Sequence, residues 1–70
     1  MRRAEIDRDY GLGLLAGVQL ARHDMRLPEA AVELEANEQY EHAASIMVIE
    51  RSAFVLGFTD GYSGWIAGIV

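Results

Sequence analysis

Four glycines near the C-terminus, Gly57, Gly61, Gly64 and Gly68, are spaced four, three and four residues apart. On a helix turning about 100° per residue they fall in one stripe roughly 60° wide. Each glycine in a helix interior costs up to about 1 kcal/mol relative to alanine. A helix carrying such a stripe is therefore held by its neighbours and not by its own propensity. The N-terminal third repeats the pattern, with Gly13, Ala16, Gly17 and Ala21 on a second small-residue face and Gly11 nearby. Small faces let two backbones approach until they touch. Residues 9–17 can also be laid over residues 60–68 with four identities in nine positions. These features predict that the first and last helices pack against each other, or against their copies in a dimer. A phosphate-cradling role is set aside: neither a P-loop nor a dinucleotide fingerprint is present, and the chain has no lysine.

The rest of the chain reads as helices around that pair. Residues 7–24 make the first helix, with Asp7 as N-cap and Tyr10, Leu14, Val18 and Ala21 at helical spacing. Pro28 ends the following break and suits the first turn of the next helix. Residues 29–36 are strong helix formers, and Asn37 is expected to end that helix or cap a new one. Residues 38–58 read as a longer helix. Within it residues 46–49, Ile-Met-Val-Ile, are the best strand candidate but lack a partner strand. Residues 59–70 either start a new helix at Thr59 or Asp60 or continue the previous one. The expectation is one all-α domain over residues 1–70, a small bundle of three to four short helices. Its predicted core is Leu14, Val18, Leu34, Ile46, Ile49, Phe54, Leu56, Trp65 and Ile66.

Seventy residues bury only about 60% of the surface of the unfolded chain, so stability is marginal. Small domains usually add disulfides, a metal or a partner subunit. The absence of cysteine removes disulfides and thiolate metal sites, leaving close helix packing or a homodimer. The first residues are too polar for a signal peptide. The apolar stretch 54–70 is short for a span and contains Asp60. A cytoplasmic protein without membrane insertion is expected.

Charge is unevenly placed. The net charge of −5 comes from eleven acids against six arginines. Residues 1–26 are nearly balanced and residues 51–70 are neutral, whereas residues 27–50 hold six glutamates and no arginine. Five of them, Glu29, Glu33, Glu35, Glu38 and Glu41, fall within thirteen residues, beside Tyr40. A chain this acidic is a poor ligand for nucleic acid itself, because phosphates repel it. The cluster reads either as a solvated face that keeps a small protein soluble or as a patch for a basic partner, where it steers association and specificity. In size and in the acid cluster at residues 29–41 the chain resembles the small acidic anti-CRISPR proteins of phages and mobile elements. That family shares no common motif, so no residue role carries over. The resemblance implies a protein target with a basic groove, such as a nucleic-acid-binding effector complex, competition with nucleic acid, and no chemistry.

No catalytic constellation stands out. Glu38 and His42 share a helix face, but no second pair completes a metal site. His23 suits a helix C-terminus, and Ser45, Ser52 and Ser63 lack a nucleophile-elbow context. Paired carboxylates need a dry cleft for acid–base work. No enzyme, cofactor or metal is expected. Tyr40 is the aromatic expected at an interface, whereas Trp65 is expected in the core. The expected function is thus protein binding through Glu29, Glu33, Glu35, Glu38, Tyr40 and Glu41, masking a basic nucleic-acid-binding surface. The alternative is a structural subunit that self-associates through Gly13, Gly17, Gly57, Gly61, Gly64 and Gly68.

Overall fold

A computed structural model describes the backbone of residues 3–69 and the side chains of residues 5–69. Three helices follow one another: α1 (Arg3–His23), α2 (Glu29–Ala44) and α3 (Arg51–Ile66). Among the described residues there is no strand, and the all-α expectation holds with three helices.

The glycines decide how α1 and α3 meet. A Cβ added at Gly13 would be driven into the Phe54 carbonyl, and one at Gly17 into the Phe58 carbonyl. From the other side, a Cβ at Gly57 would strike the Tyr10 carbonyl and one at Gly61 the Leu14 carbonyl. Going up α1 by four residues moves the contact up α3 by four, so the two helices run parallel. Each contributes a Gly-x-x-x-Gly pair, and each pair receives the other helix's carbonyl oxygens. At this separation Cα–H groups face carbonyls, and weak C–H···O contacts replace side-chain packing. Gly13 lies level with Gly57 and Gly17 with Gly61; laying residues 9–17 over residues 60–68 puts the two helices in a different register.

Gly68 and Gly64 play other parts. Gly68 has φ 78°, its N–H donates to the Trp65 carbonyl at 3.1 Å, and the Ile69 N–H donates to the Gly64 carbonyl at 2.8 Å. This is a Schellman close, in which a residue without Cβ turns the chain out of α3. Gly68 is thus a helix terminator and not a packing residue.

α2 lies over one side of the parallel pair, spaced from it by large side chains. Phe54, Phe58 and Tyr62 from α3 meet Val32 and Ala36 from α2 and Ala21 from α1, with Ile49 from the loop before α3. Phe58 is fully buried, and the Phe54 ring tilts against both Tyr40 and Phe58 with centroids 6.3 Å apart. The Tyr62 hydroxyl ties down the α1–α2 turn. It donates to the Asp24 carbonyl at 2.8 Å and accepts the Leu27 N–H at 3.0 Å.

A second tie holds the loop between α2 and α3. Asp9 is completely buried. Its carboxylate accepts the Glu50 N–H at 2.9 Å, at the start of α3, and pairs with Arg8 at 2.7 Å. Arg8 also donates to the Val48 carbonyl at 2.8 Å. The positive end of α3 and an arginine together compensate a buried carboxylate.

Several boundaries differ from the sequence expectation. α1 starts before Asp7, which lies inside the helix and is no N-cap. α2 runs through Asn37 unbroken, because its side chain donates back to the Glu33 carbonyl at 2.9 Å and accepts from Arg51 at 2.7 Å. The long helix 38–58 is instead interrupted at residues 45–50. There Ile46 and Val48 are 77% and 86% exposed, whereas Ile49 is buried in the core and Met47 packs against it. α3 passes through Thr59 and Asp60 without a break, with the Thr59 hydroxyl bonded back to the Val55 carbonyl at 3.2 Å. Of the nine predicted core residues, Ile49 and Phe54 are buried, while Leu14, Val18 and Trp65 are half-buried. Leu34, Ile46, Leu56 and Ile66 are exposed.

Candidate functional site: the acidic ridge of α2

The first half of α2, Glu-Ala-Ala-Val-Glu-Leu-Glu-Ala, consists mostly of strong helix formers. Pro28 occupies the N-cap with extended backbone and offers no side-chain bond to the first turn. Its carbonyl accepts the Ala31 and Val32 N–H groups at 3.0 and 3.1 Å. Glu29 in the first turn and His42 in the last oppose the helix dipole in the favourable sense. Burial of Val32 and Ala36 sets which side faces α3.

Everything else on α2 follows from that rotation. Glu33 and Glu35 flank the buried seam on opposite sides, Glu38 points away from it, and Glu29 stands at the helix start. Glu29, Glu33 and Glu38 are exposed and Glu35 is half-buried. Among the described residues none of these four makes an ion pair. They do not line up as one stripe. Because α2 is continuous, they ring its solvent side, and Leu34, 62% exposed, lies on the crest between them. From Glu29 to Glu38 the axis rises about 13 Å, with successive carboxylates separated by about 6, 3 and 4.5 Å along it. Phosphates recur at about 3.4 Å along one strand of B-DNA.

Tyr40 and Glu41 belong to a different cluster. Arg51, at the start of α3, lies 4.3 Å over the Tyr40 ring. It pairs with Glu41 and donates to Asn37 at 2.7 Å. The Tyr40 hydroxyl is 3.5 Å from the Ile49 carbonyl and its ring packs on Phe54. These two residues, expected at an interface, are engaged in fastening α2 to α3, and of the five clustered glutamates Glu41 is ion-paired among the described residues. Glu38 and His42 stand without a third ligand; among the described residues no group of three or more metal-ligating side chains forms.

Compared with known proteins, the chain matches no family model, no curated protein and no solved structure.

Beside Glu29 an apolar cleft of about 370 Å³ opens between the start of α2 and the end of α3. Leu27, Val32, Tyr62, Ile66 and Ala67 form its walls, with Thr59 and Ser63 at the edge. No sequence signal marks it, because its walls come from segments some thirty residues apart. The far side of the α1–α3 pair carries another feature that the sequence does not announce. There the Tyr10 hydroxyl donates to the Asp60 carboxylate at 2.7 Å across the seam. That hydrogen bond, followed by burial and the Asp60 charge, raises the Tyr10 pKa above the ordinary tyrosine value. No helix among the described residues is long and apolar enough to cross a membrane.

Proposed function

We propose that this protein is a small acidic binding protein whose α2 ridge enters a basic groove on a partner and masks a surface used for nucleic acid. The observation that carries the reading is the set of Glu29, Glu33, Glu35 and Glu38 on one continuous helix, none of them ion-paired among the described residues. Unpaired carboxylates three or four residues apart, as in Glu29/Glu33 and Glu35/Glu38, repel by a few tenths of a kcal/mol per pair. A concave, positively charged partner would relieve that repulsion over the whole half-cylinder and would be reached through electrostatic steering. Leu34 on the crest supplies the apolar contact that charges alone do not. The mechanism is occupation of arginine and lysine sites that otherwise hold phosphates, with no bond made or broken.

The glycine faces argue against the self-assembling alternative in its simplest form. Gly13, Gly17, Gly57 and Gly61 are covered within the chain, so a second copy has no access to them.

The deciding experiment compares the native chain with a Glu33→Gln, Glu35→Gln, Glu38→Gln variant as affinity baits for nucleic-acid-handling complexes of a lysate. Binding by the native chain, displaced by salt and by added DNA and lost in a variant of unchanged helicity, is expected. Equal retention of the same complex by the variant at low salt would sink the proposal.

A further inference from the structure

The cleft at the head of the ridge has a particular chemistry. Its polar groups are already satisfied by the protein. The Tyr62 hydroxyl is used twice by the α1–α2 turn, the Thr59 hydroxyl donates into its own helix, and the Ser63 hydroxyl donates to the Thr59 carbonyl at 2.8 Å. The walls therefore offer an occupant apolar contact, no vacant hydroxyl donor and no charge. The exception is Glu29, exposed at the mouth and without an ion pair among the described residues.

We infer that this cleft receives a single long cationic side chain, an arginine or lysine of the partner. Its methylene stem lies along Leu27, Val32, Tyr62 and Ile66, and its charged head meets Glu29. The occupant is dictated by complementarity. Apolar walls favour a stem stripped of polar groups, and a lone carboxylate at the rim favours a cation at the end of that stem. Arginine and lysine are the side chains with that layout. A volume of about 370 Å³ is at the small end for ligand sites, suited to one side chain and not to a cofactor. Glu29 is also the first carboxylate of the α2 ridge, so an arginine anchored here would align the partner's basic groove along Glu33, Glu35 and Glu38. The inference rests on the basic-partner reading for its biological occupant, but the cleft's preference can be measured without any partner.

The test titrates the isotopically labelled protein with n-butylguanidinium and follows backbone amide shifts by NMR. Guanidinium chloride and n-butanol, each carrying half of the probe's chemistry, serve as comparisons at equal concentration and ionic strength. Saturable shifts confined to residues around Leu27, Glu29, Val32, Ser63 and Ile66, at lower concentration than either half-probe, are expected. Glu29→Gln should weaken the probe about threefold, the scale of one exposed ion pair, and leave n-butanol unaffected. Ser63→Leu, at an exposed position on the edge, should crowd the cleft and reduce both. Asp7→Asn, on the exposed side of α1 and outside the cleft, should change neither. The inference is overturned by shifts that map elsewhere, by guanidinium matching the full probe, or by an unchanged affinity in Glu29→Gln. Failure of this titration with the triple-glutamine result intact would remove the anchor and keep the acidic ridge. The reverse pattern would keep a cation-accepting cleft and remove the proposed masking role.

Discussion

The two faces of α3 are packed by opposite means. Towards α1 the contact is backbone on backbone, with glycines admitting carbonyl oxygens where a methyl group would not fit. Towards α2 the contact is side chain on side chain, built on Phe54, Phe58 and Tyr62 with Arg51 clamping the edge. The first contact is fixed by sterics and tolerates no added atom. The second is a hydrophobic contact whose strength follows buried area and packing. A small chain without disulfides thus gains a rigid pair from glycine spacing, then uses aromatics to hold α2 at a distance that leaves its acids in solvent.

The contrast is broken most severely at the seam. Gly17→Leu should abolish folding, because its Cβ alone would sit 2.8 Å from the Phe58 carbonyl carbon and 3.0 Å from the Tyr62 nitrogen, both backbone atoms that cannot step aside. Circular dichroism should show a largely unfolded chain at 25 °C. A cooperative melt near that of the native protein would mean that the helices can separate and that the seam is not obligatory.

On the other face, Phe58→Ala removes a fully buried ring and should cost about 4 kcal/mol. For a domain whose whole stability is on the order of 5 kcal/mol, denaturant titration should find the variant barely folded. A loss below about 1 kcal/mol would show that α2 is not held by the aromatic contact.

Gly11 sharpens the point within a single helix. A Cβ there meets nothing within 4 Å, so Gly11→Ala should stabilise the protein by about 0.5–1 kcal/mol through helix propensity alone. The same substitution at Gly17 should destabilise it. Opposite signs six residues apart, read from urea midpoints, separate the steric role of glycine from its propensity.

The smallest effect lies across the open side of the seam. Tyr10 has a raised pKa because its hydroxyl donates to Asp60. Above pH 10 or so, the ordinary tyrosine value, the unfolded chain gives up this proton before the folded chain does. Stability from this group is therefore complete below that pH and is lost as pH rises through the folded-state value. Thermal melts from pH 8 to 11 should show an alkaline decline that is shallower in Tyr10→Phe. Identical declines would mean that the hydrogen bond does not survive in solution.

What could be read beforehand follows from how local each feature is. Helical composition, the turn at Pro28 and the two small-residue faces all follow from residue type and spacing within one segment. Gly13, Gly17, Gly57 and Gly61 revealed a seam because four-residue spacing has one steric meaning on a helix. The acid concentration on α2 was equally plain, and four of its five glutamates stand unpaired among the described residues. The contacts of Tyr40 and Glu41 with Arg51 were not legible, because Arg51 lies across a loop at residues 45–50 that helix-like periodicity concealed. Leu34, Leu56 and Ile66 were assigned to the core because apolar residues surround these helices. No pattern in one helix says which apolar side its neighbours cover.

By itself, then, the sequence determined that the chain is helical, that its ends carry two faces able to touch, and that its negative charge is collected between them. Only the tertiary structure decided that those faces meet in parallel within one chain. It also decided that Asp9 is buried against the start of α3, and that a cleft opens beside Glu29. The physical reason is range. Propensity, glycine spacing and charge density act within a few residues, whereas rotation, register and enclosure depend on groups thirty to forty positions apart that only the assembled helices bring together.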